Sequence, residues 1–383
     1  MRFSAHSLHS PVIVLPEQQA TVGARVASIL ADQRRIIEQA LVQPAMGDSI
    51  QIPLTTVSLD SNFDAYVNIG FRGGRNRPST TLLVDSGNST LIVPSWDDIA
   101  ALPNSAKNYT VLGTAKEPWE SKANIVRGPI EIATATGGIY TIENCVFYAC
   151  TEKPGTANFG VGCIRPWSAD GWNTPKGIGV TLQAPLSYDT LYPYAAFDYA
   201  PAENVLPGEA TPNVTAGSSL VLYKSPPPGY KMLDITPNLE WMSVVPKALS
   251  IGNAKTGWPG SVESPIAMVD TGGGPVFLTD PNGYVYNLAW PASTTCPLWT
   301  SKSTDCQCTG ANITVELTDG TNSISYVIDT DRLPPTVRGL TLVMCKVNSY
   351  MMGMQGMNIG GISALFNSIL IDYLNGRVGF RSK

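Results

Sequence analysis

Thr80-Thr81-Leu82-Leu83-Val84-Asp85-Ser86-Gly87 and Pro265-Ile266-Ala267-Met268-Val269-Asp270-Thr271-Gly272 are two versions of one pattern. In each, an apolar strand runs into an aspartate, a hydroxyl residue and a glycine. A single Asp-Ser-Gly is common in turns and carries little information. Here each copy is followed, after a long gap, by an apolar-Gly segment, Phe159-Gly160-Val161-Gly162 in the first half and Ile359-Gly360-Gly361-Ile362 in the second. The repetition of both elements in the same order describes an internally duplicated chain.

The pattern has a chemical reading. A carboxylate at the end of a buried strand is costly to desolvate unless donors surround it, and a following glycine lets the chain turn sharply so that backbone N–H groups face the acid. If the two halves are related by a pseudo-two-fold axis, Asp85 and Asp270 meet at that axis. Two like charges in contact cannot both ionise cheaply, so the pair would share one proton. Such a pair can hold a water molecule, one member acting as general base and the other as acid toward a carbonyl.

Composition fits this reading and excludes others. With 383 residues, 43% of them hydrophobic, the chain can bury a large core divided between two sub-domains. Only 14% of residues are charged, while Gly (35) and Pro (30) are frequent, which favours many short strands joined by turns. The fold class expected is all-β. A net charge of −5 without a basic run offers no footprint for nucleic acid. No apolar run reaches the roughly 18 to 20 residues of a membrane span. The only histidines, His6 and His9, stand in the first ten residues, so Ser-His-Asp, Cys-His and His-metal chemistry have no imidazole in the body of the chain. Cys306-Gln-Cys308 is too tightly spaced for a zinc knuckle and has no His nearby, so neither a metal nor a cofactor is expected. Seven cysteines leave at least one thiol unpaired in a monomer, the state expected here.

Three regions are expected: an N-terminal extension over 1–48, a β block over 49–205 carrying Asp85, and a β block over 206–383 carrying Asp270. In the first, Thr21 to Val42 place Val22, Val26, Ile29, Leu30, Ile36, Ile37 and Leu41 on one helical face, closed by Pro44. The helix is read either as docked on the body or as a removable pro-segment that brings Arg34 and Arg35 to the carboxylates. From about residue 50 short β-type runs follow, including Ser49–Ser58, Ala65–Phe71, Thr80–Val84 and Gly138–Tyr148. The Pro-rich stretches Ser225-Pro226-Pro227-Pro228-Gly229 and Ala200–Pro212 are expected to connect the two blocks.

At this level the chain resembles the pepsin family of aspartic proteases from about Asp60 to its end. Phe63-Asp64-Ala65-Tyr66-Val67-Asn68-Ile69-Gly70 resembles the family's opening hairpin, and Val84-Asp85-Ser86-Gly87-Asn88-Ser89-Thr90-Leu91-Ile92-Val93-Pro94-Ser95 its first catalytic motif. Val269-Asp270-Thr271-Gly272 resembles the second, and Ile359-Gly360-Gly361-Ile362 through Ile371-Asp372-Tyr373 and Arg377-Val378-Gly379-Phe380 the closing strands. The resemblance implies a bilobal fold of two pseudo-symmetric β-barrel-like lobes. It makes Asp85 and Asp270 the catalytic dyad, with Ser86, Gly87, Asn88, Thr271, Gly272 and Gly273 supporting it. Ser86 and Thr271 would cross-link the two loops through hydroxyl-to-backbone bonds. Cys345 is similar to one half of the second lobe's disulfide, with Cys308 or Cys306 as its mate and Cys296 taking the remaining one.

The sequence departs from the family in three places. Asn88 and Gly273 stand where the family has hydroxyls that bond the outer carboxylate oxygens. Asn can donate through its amide and Gly cannot, so Asp270 is expected to lose a bond and titrate higher, giving a less acidic optimum. Ile92 replaces a Trp that partners a lid Tyr, and Trp119, in Glu117-Pro118-Trp119-Glu120-Ser121-Lys122, is the lid candidate, with a gap-filling surface Trp as the alternative. Asn88-Ser89-Thr90 is also a glycosylation sequon, and a glycan there would block the cleft.

The expected function is an aspartic endopeptidase holding an extended peptide between the lobes. The alternatives are a repurposed enzyme using the acid pair on a small molecule and a non-catalytic binding or inhibitor protein on the same scaffold. The run Pro11–Pro16 is too short for the apolar core of a signal peptide. Secretion is implied by family analogy, and a cytoplasmic location by the repurposed reading.

Overall fold

The computed structural model describes residues 47–59, 62–74, 80–117, 121–154, 157–163, 178–199, 214–215, 218–236, 242–251, 254–257, 266–273, 276–279, 305–308, 312–332, 342–345 and 356–383. The expected N-terminal helix with Arg34 and Arg35, His6 and His9, Trp119, Ala200–Pro212 and Cys296 lie outside these residues. So do the side chains of Cys306, Cys308 and Cys345.

The described chain is all-β. Its first part forms β1 (Ser49–Pro53), β2 (Thr55–Leu59), β3 (Asn62–Phe71), β4 (Thr80–Asp85), β5 (Leu91–Val93), β6 (Thr110–Lys116), β7 (Lys122–Ala133), β8 (Ile139–Cys150) and β9 (Asn158–Gly160). Then come β10 (Tyr194–Asp198), β11 (Val214–Thr215), β12 (Ser219–Tyr223), β13 (Lys231–Asp234), β14 (Ser243–Ile251), β15 (Ala254–Gly257), β16 (Ile266–Met268) and β17 (Val276–Thr279). The last are β18 (Asp305–Cys308), β19 (Ile313–Thr318), β20 (Ser323–Ile328), β21 (Leu342–Cys345), β22 (Gly356–Asn358), β23 (Asn367–Asp372) and β24 (Arg377–Ser382). Three sheets result.

In the first sheet β3 pairs with β4 through Tyr66–Ile69 and, farther along, with β7 through Ile69–Phe71. That second pairing closes a six-stranded barrel in the order β3-β4-β9-β5-β8-β7. Closure removes the strand edges that would otherwise expose unpaired backbone groups. Phe147, Phe159, Leu82, Leu91 and Ile125 are fully buried in this part of the molecule. Each such side chain contributes about 1.5–3 kcal/mol of burial.

A second sheet, β1-β12-β10-β23-β24-β13, draws its strands from both halves of the sequence. Every residue of β23 is buried, whereas β1 alternates exposed and buried positions. A uniformly buried strand at the centre and an alternating one at the edge are what two covered faces and one covered face require. Ser225–Gly229 lies between β12 and β13, so that Pro-rich stretch connects two strands of this sheet. At the other end Asp372 is fully buried, bonded by Arg377 and by the backbone and side chain of Asn375, which holds the turn between β23 and β24. Tyr373 from that turn donates its hydroxyl to the Val161 carbonyl at 2.6 Å and ties the end of the chain to the segment after β9.

The third sheet repeats part of the first. β4 pairs in parallel with β9, β9 antiparallel with β5, and β5 in parallel with β8. Likewise β16 pairs in parallel with β22, β22 antiparallel with β17, and β17 in parallel with β21. The duplicated Asp-hydroxyl-Gly and apolar-Gly segments of the sequence thus occupy matching places in two four-strand arrangements. β18 runs antiparallel to β21, with Asp305 opposite Cys345 and Cys306 opposite Met344.

Phe159 sits in the short strand paired with both β4 and β5 and has no solvent exposure. Phe159→Ala is expected to lower stability by about 3–5 kcal/mol, read as a shift of the denaturant midpoint at unchanged slope.

Candidate acid-pair site

The two Asp-hydroxyl-Gly turns are joined by a reciprocal set of four hydrogen bonds. Ser86 Oγ accepts the Thr271 N–H at 2.9 Å and donates to the Val269 carbonyl at 2.8 Å. Thr271 Oγ1 accepts the Ser86 N–H at 3.1 Å and donates to the Val84 carbonyl at 3.2 Å. Both residues are completely buried. Each hydroxyl therefore satisfies one N–H and one C=O of the opposite turn, groups that would otherwise be buried without partners.

This exchange brings the acids together. A Cβ placed on Gly87 would lie 2.6 Å from Asp270 Cγ, and one on Gly272 would lie 2.7 Å from Asp85 Cγ. Each glycine thus makes room for the carboxylate of the other motif, a close approach that any side chain would block. The Gly272 N–H also donates to Asp270 Oδ1 at 3.0 Å.

The outer oxygens are served by two side chains that the motif reading passed over. Asn158 Nδ2 donates to Asp85 Oδ2 at 3.1 Å, and Asn358 Nδ2 donates to Asp270 Oδ2 at 2.6 Å. In the strand pairing Asn158 lies opposite Leu83 and Asn358 opposite Met268, each two residues before an aspartate. The signal was present in the sequence, because each apolar-Gly segment is preceded by Asn: Asn158-Phe159-Gly160 and Asn358-Ile359-Gly360.

Two expectations are corrected by these contacts. Gly273 supplies no side-chain donor, yet Asp270 is not short of one, because Asn358 bonds the oxygen concerned. The argument for a less acidic optimum from that missing hydroxyl falls with it. Asn88 does not bond Asp85 through its amide. Its Nδ2 donates to Asn158 Oδ1 at 2.8 Å, while its Oδ1 accepts from the Thr90 N–H and hydroxyl. With 3% exposure and its nitrogen engaged, Asn88 is closed to glycosylation in the folded chain.

Asp85 is pushed well above the ordinary carboxylate range, first by burial, then by the charge of Asp270 and a carboxyl–carboxyl hydrogen bond with it. The Gly87 and Asn88 N–H groups offset part of the shift. Asp85 Oδ1 is buried without a donor among the described residues.

A third carboxylate stands nearby. Asp64 in β3 is raised to about 6, chiefly by burial, with Asp270 adding repulsion and the Tyr66 hydroxyl, 3.5 Å from Oδ2, opposing it. The β3–β4 register that pairs Tyr66 with Leu83, carried on along both strands, brings Asp64 level with Asp85.

Other candidates fall elsewhere. Ile92 is fully buried among Ile125, Tyr148 and Leu182, a core residue with no polar atom to offer a lid. Between β6 and β7 the buried Glu117 accepts the Ser121 N–H at 2.9 Å. Cys145, Cys150 and Cys163 are buried, and burial pushes the Cys150 thiol up to about 12, far from nucleophilic service. Among the described residues no group of three or more His, Cys, Asp or Glu is arranged to hold a metal ion.

Compared with known proteins, the chain matches no family model and no curated protein.

Two outcomes follow from this geometry. Ser86→Ala strips partners from the buried Thr271 N–H and Val269 C=O, and chemical denaturation is expected to show a loss of about 2–4 kcal/mol. Asp64 has its folded-state pKa raised from 3.8 to about 6, so the stability linked to it is complete below about pH 4 and lost as pH rises through about 6. Asp64→Asn is therefore expected to raise the melting temperature at pH 7.5 and leave it nearly unchanged at pH 3.5.

Proposed function

We propose that the chain is an aspartic endopeptidase of the pepsin type, with Asp85 and Asp270 as its dyad at the junction of two lobes. The observation that carries this reading is the reciprocal Ser86–Thr271 exchange, which presses two carboxylates against each other's glycines. Structural aspartates in turns have no need of such an arrangement, whereas an acid pair that must share a proton does.

In the resting state the two acids hold one proton between them, and it starts the cycle on Asp85. Burial disfavours the charge of Asp85. Asp270 accepts from the Gly272 N–H and the Asn358 amide. A water held between them loses a proton to Asp270 as its oxygen attacks the substrate carbonyl carbon, and Asp85 gives its proton to the carbonyl oxygen. The tetrahedral diol then collapses: the C–N bond breaks, the amine takes the proton from Asp270, and a hydroxyl proton returns to Asp85. No covalent enzyme intermediate forms and the acid pair ends as it began. Activity is lost at low pH, when both carboxyls are protonated, and at high pH, when the shared proton leaves. The two apparent constants belong to the pair and not to either acid.

The test is digestion of a denatured protein substrate across pH 3 to 7, with and without pepstatin. Pepstatin-sensitive cleavage is expected, reduced by about 100-fold or more in both Asp85→Asn and Asp270→Asn, whose melting profiles should show them folded. Pepstatin binding without cleavage would make the chain a non-catalytic binder. Neither binding nor cleavage by folded protein would overturn the reading and leave small-molecule acid–base chemistry as the alternative.

A further inference from the structure

Asn158 and Asn358 are built into the site with their amide orientations determined. Asn158 Oδ1 accepts from Asn88, which leaves only Nδ2 to face Asp85, and Asn88 is itself oriented because its Oδ1 accepts from the Thr90 N–H. Asn358 Oδ1 accepts the Gly360 N–H at 2.8 Å, so its Nδ2 faces Asp270. The flip of each amide follows from the backbone donors at the far end of the network. Both side chains are buried.

The space around Gly273 matches this. A Cβ on Gly273 would fall 3.0 Å from Asp270 Oδ2 and 3.1 Å from Asn358 Nδ2. The place that a side chain at 273 would enter is already taken by the Asn358 amide, and the Gly361 N–H donates to the Gly273 carbonyl, holding that turn against the Asn358 segment. One donor per outer oxygen fits, and it comes from the neighbouring strand.

We propose that Asn158 and Asn358 are positioning residues that hold the outer oxygen of each acid, and that Gly273 and Asn358 form an exchangeable couple in which either residue, but not both, carries the donor. Asn358 stabilises the charged form of Asp270 and keeps its carboxylate in the plane in which it meets Asp85. Asn158 does the same for Asp85, through a chain of amides that begins at the Thr90 backbone. The other titratable groups facing this cluster are Asp64 from β3 and the buried Tyr199, so Asp64 must be held constant or replaced by Asn when pH effects are compared.

The kinetic part of the inference rests on the peptidase reading, and its stability part does not. The experiment is a double-mutant cycle of Asn358→Ala, Gly273→Ser and the pair, each measured for melting temperature against pH and for the pH dependence of kcat/KM on a peptide. Asn358→Ala is expected to move the acidic limb of the rate profile up by about one pH unit and to lower kcat/KM about 10-fold. Gly273→Ser alone is expected to destabilise, since its Cβ crowds the amide. The double variant should be more stable than the sum of the single changes and return the acidic limb toward its original place, because a serine hydroxyl then reaches Oδ2 in a space the amide has left. Simple additivity of the melting shifts, or an unmoved acidic limb in Asn358→Ala, would overturn the proposal. A wild-type chain that cuts no peptide would remove the proposed activity, while the stability cycle would still decide whether Gly273 and Asn358 are coupled.

Discussion

Four hydrogen bonds made by Ser86 and Thr271, two to each other and one each to the Val269 and Val84 carbonyls, are the contact on which the rest of the molecule depends. They join two turns far apart in sequence, and they do so at a buried point where an unpaired N–H or C=O would cost about 1–3 kcal/mol each. Because each hydroxyl serves as donor and acceptor to the opposite backbone, neither turn can shift without breaking bonds on both sides. Rigidity of this kind is what allows two acidic side chains to be held in contact in place of relaxing apart.

Holding them there has a cost, and the surroundings of the pair are organised to offset it. Gly87 and Gly272 remove the side chains that would keep the carboxylates separate, while Asn158 and Asn358 bring a neutral donor to each outer oxygen. The buried Oδ1 of Asp85 has no donor among the described residues, and burial together with the neighbouring Asp270 raises Asp85 well above the ordinary carboxylate range. Asp64 adds a further negative neighbour for Asp270 as pH rises through about 6. The backbone around the pair is nearly symmetric, but Asp85 and Asp270 meet different neighbours.

The fold supplies this geometry by duplication. Matching sequences of parallel, antiparallel and parallel strand pairs place β4 beside β9 and β16 beside β22, so each aspartate emerges next to the strand that carries its asparagine. The sheet β1-β12-β10-β23-β24-β13, with strands from both ends of the chain, and the Tyr373–Val161 bond then tie the early and late segments into one body. A substituted outer position after the Asp-Ser/Thr-Gly motif, read alone, suggested a weakened acid. The neighbouring strand shows that Asn358 brings a donor to that oxygen.

The strand texture, the repeat and the identity of the paired aspartates were legible in the amino-acid sequence, because each is local: alternation along a strand, a glycine after an acid, a hydroxyl between them. The same local reading marked Ser225–Gly229 as a connection without naming the strands it joins, since proline content reports the absence of regular structure and not what lies on either side. It also passed over Asn158, Asn358 and Asp64, whose importance lies in which atoms face them across a sheet. Distances through space, the removal of water and the direction of an amide exist only once distant segments are packed, so the tertiary structure alone decided which oxygen each donor meets and which acids are brought together.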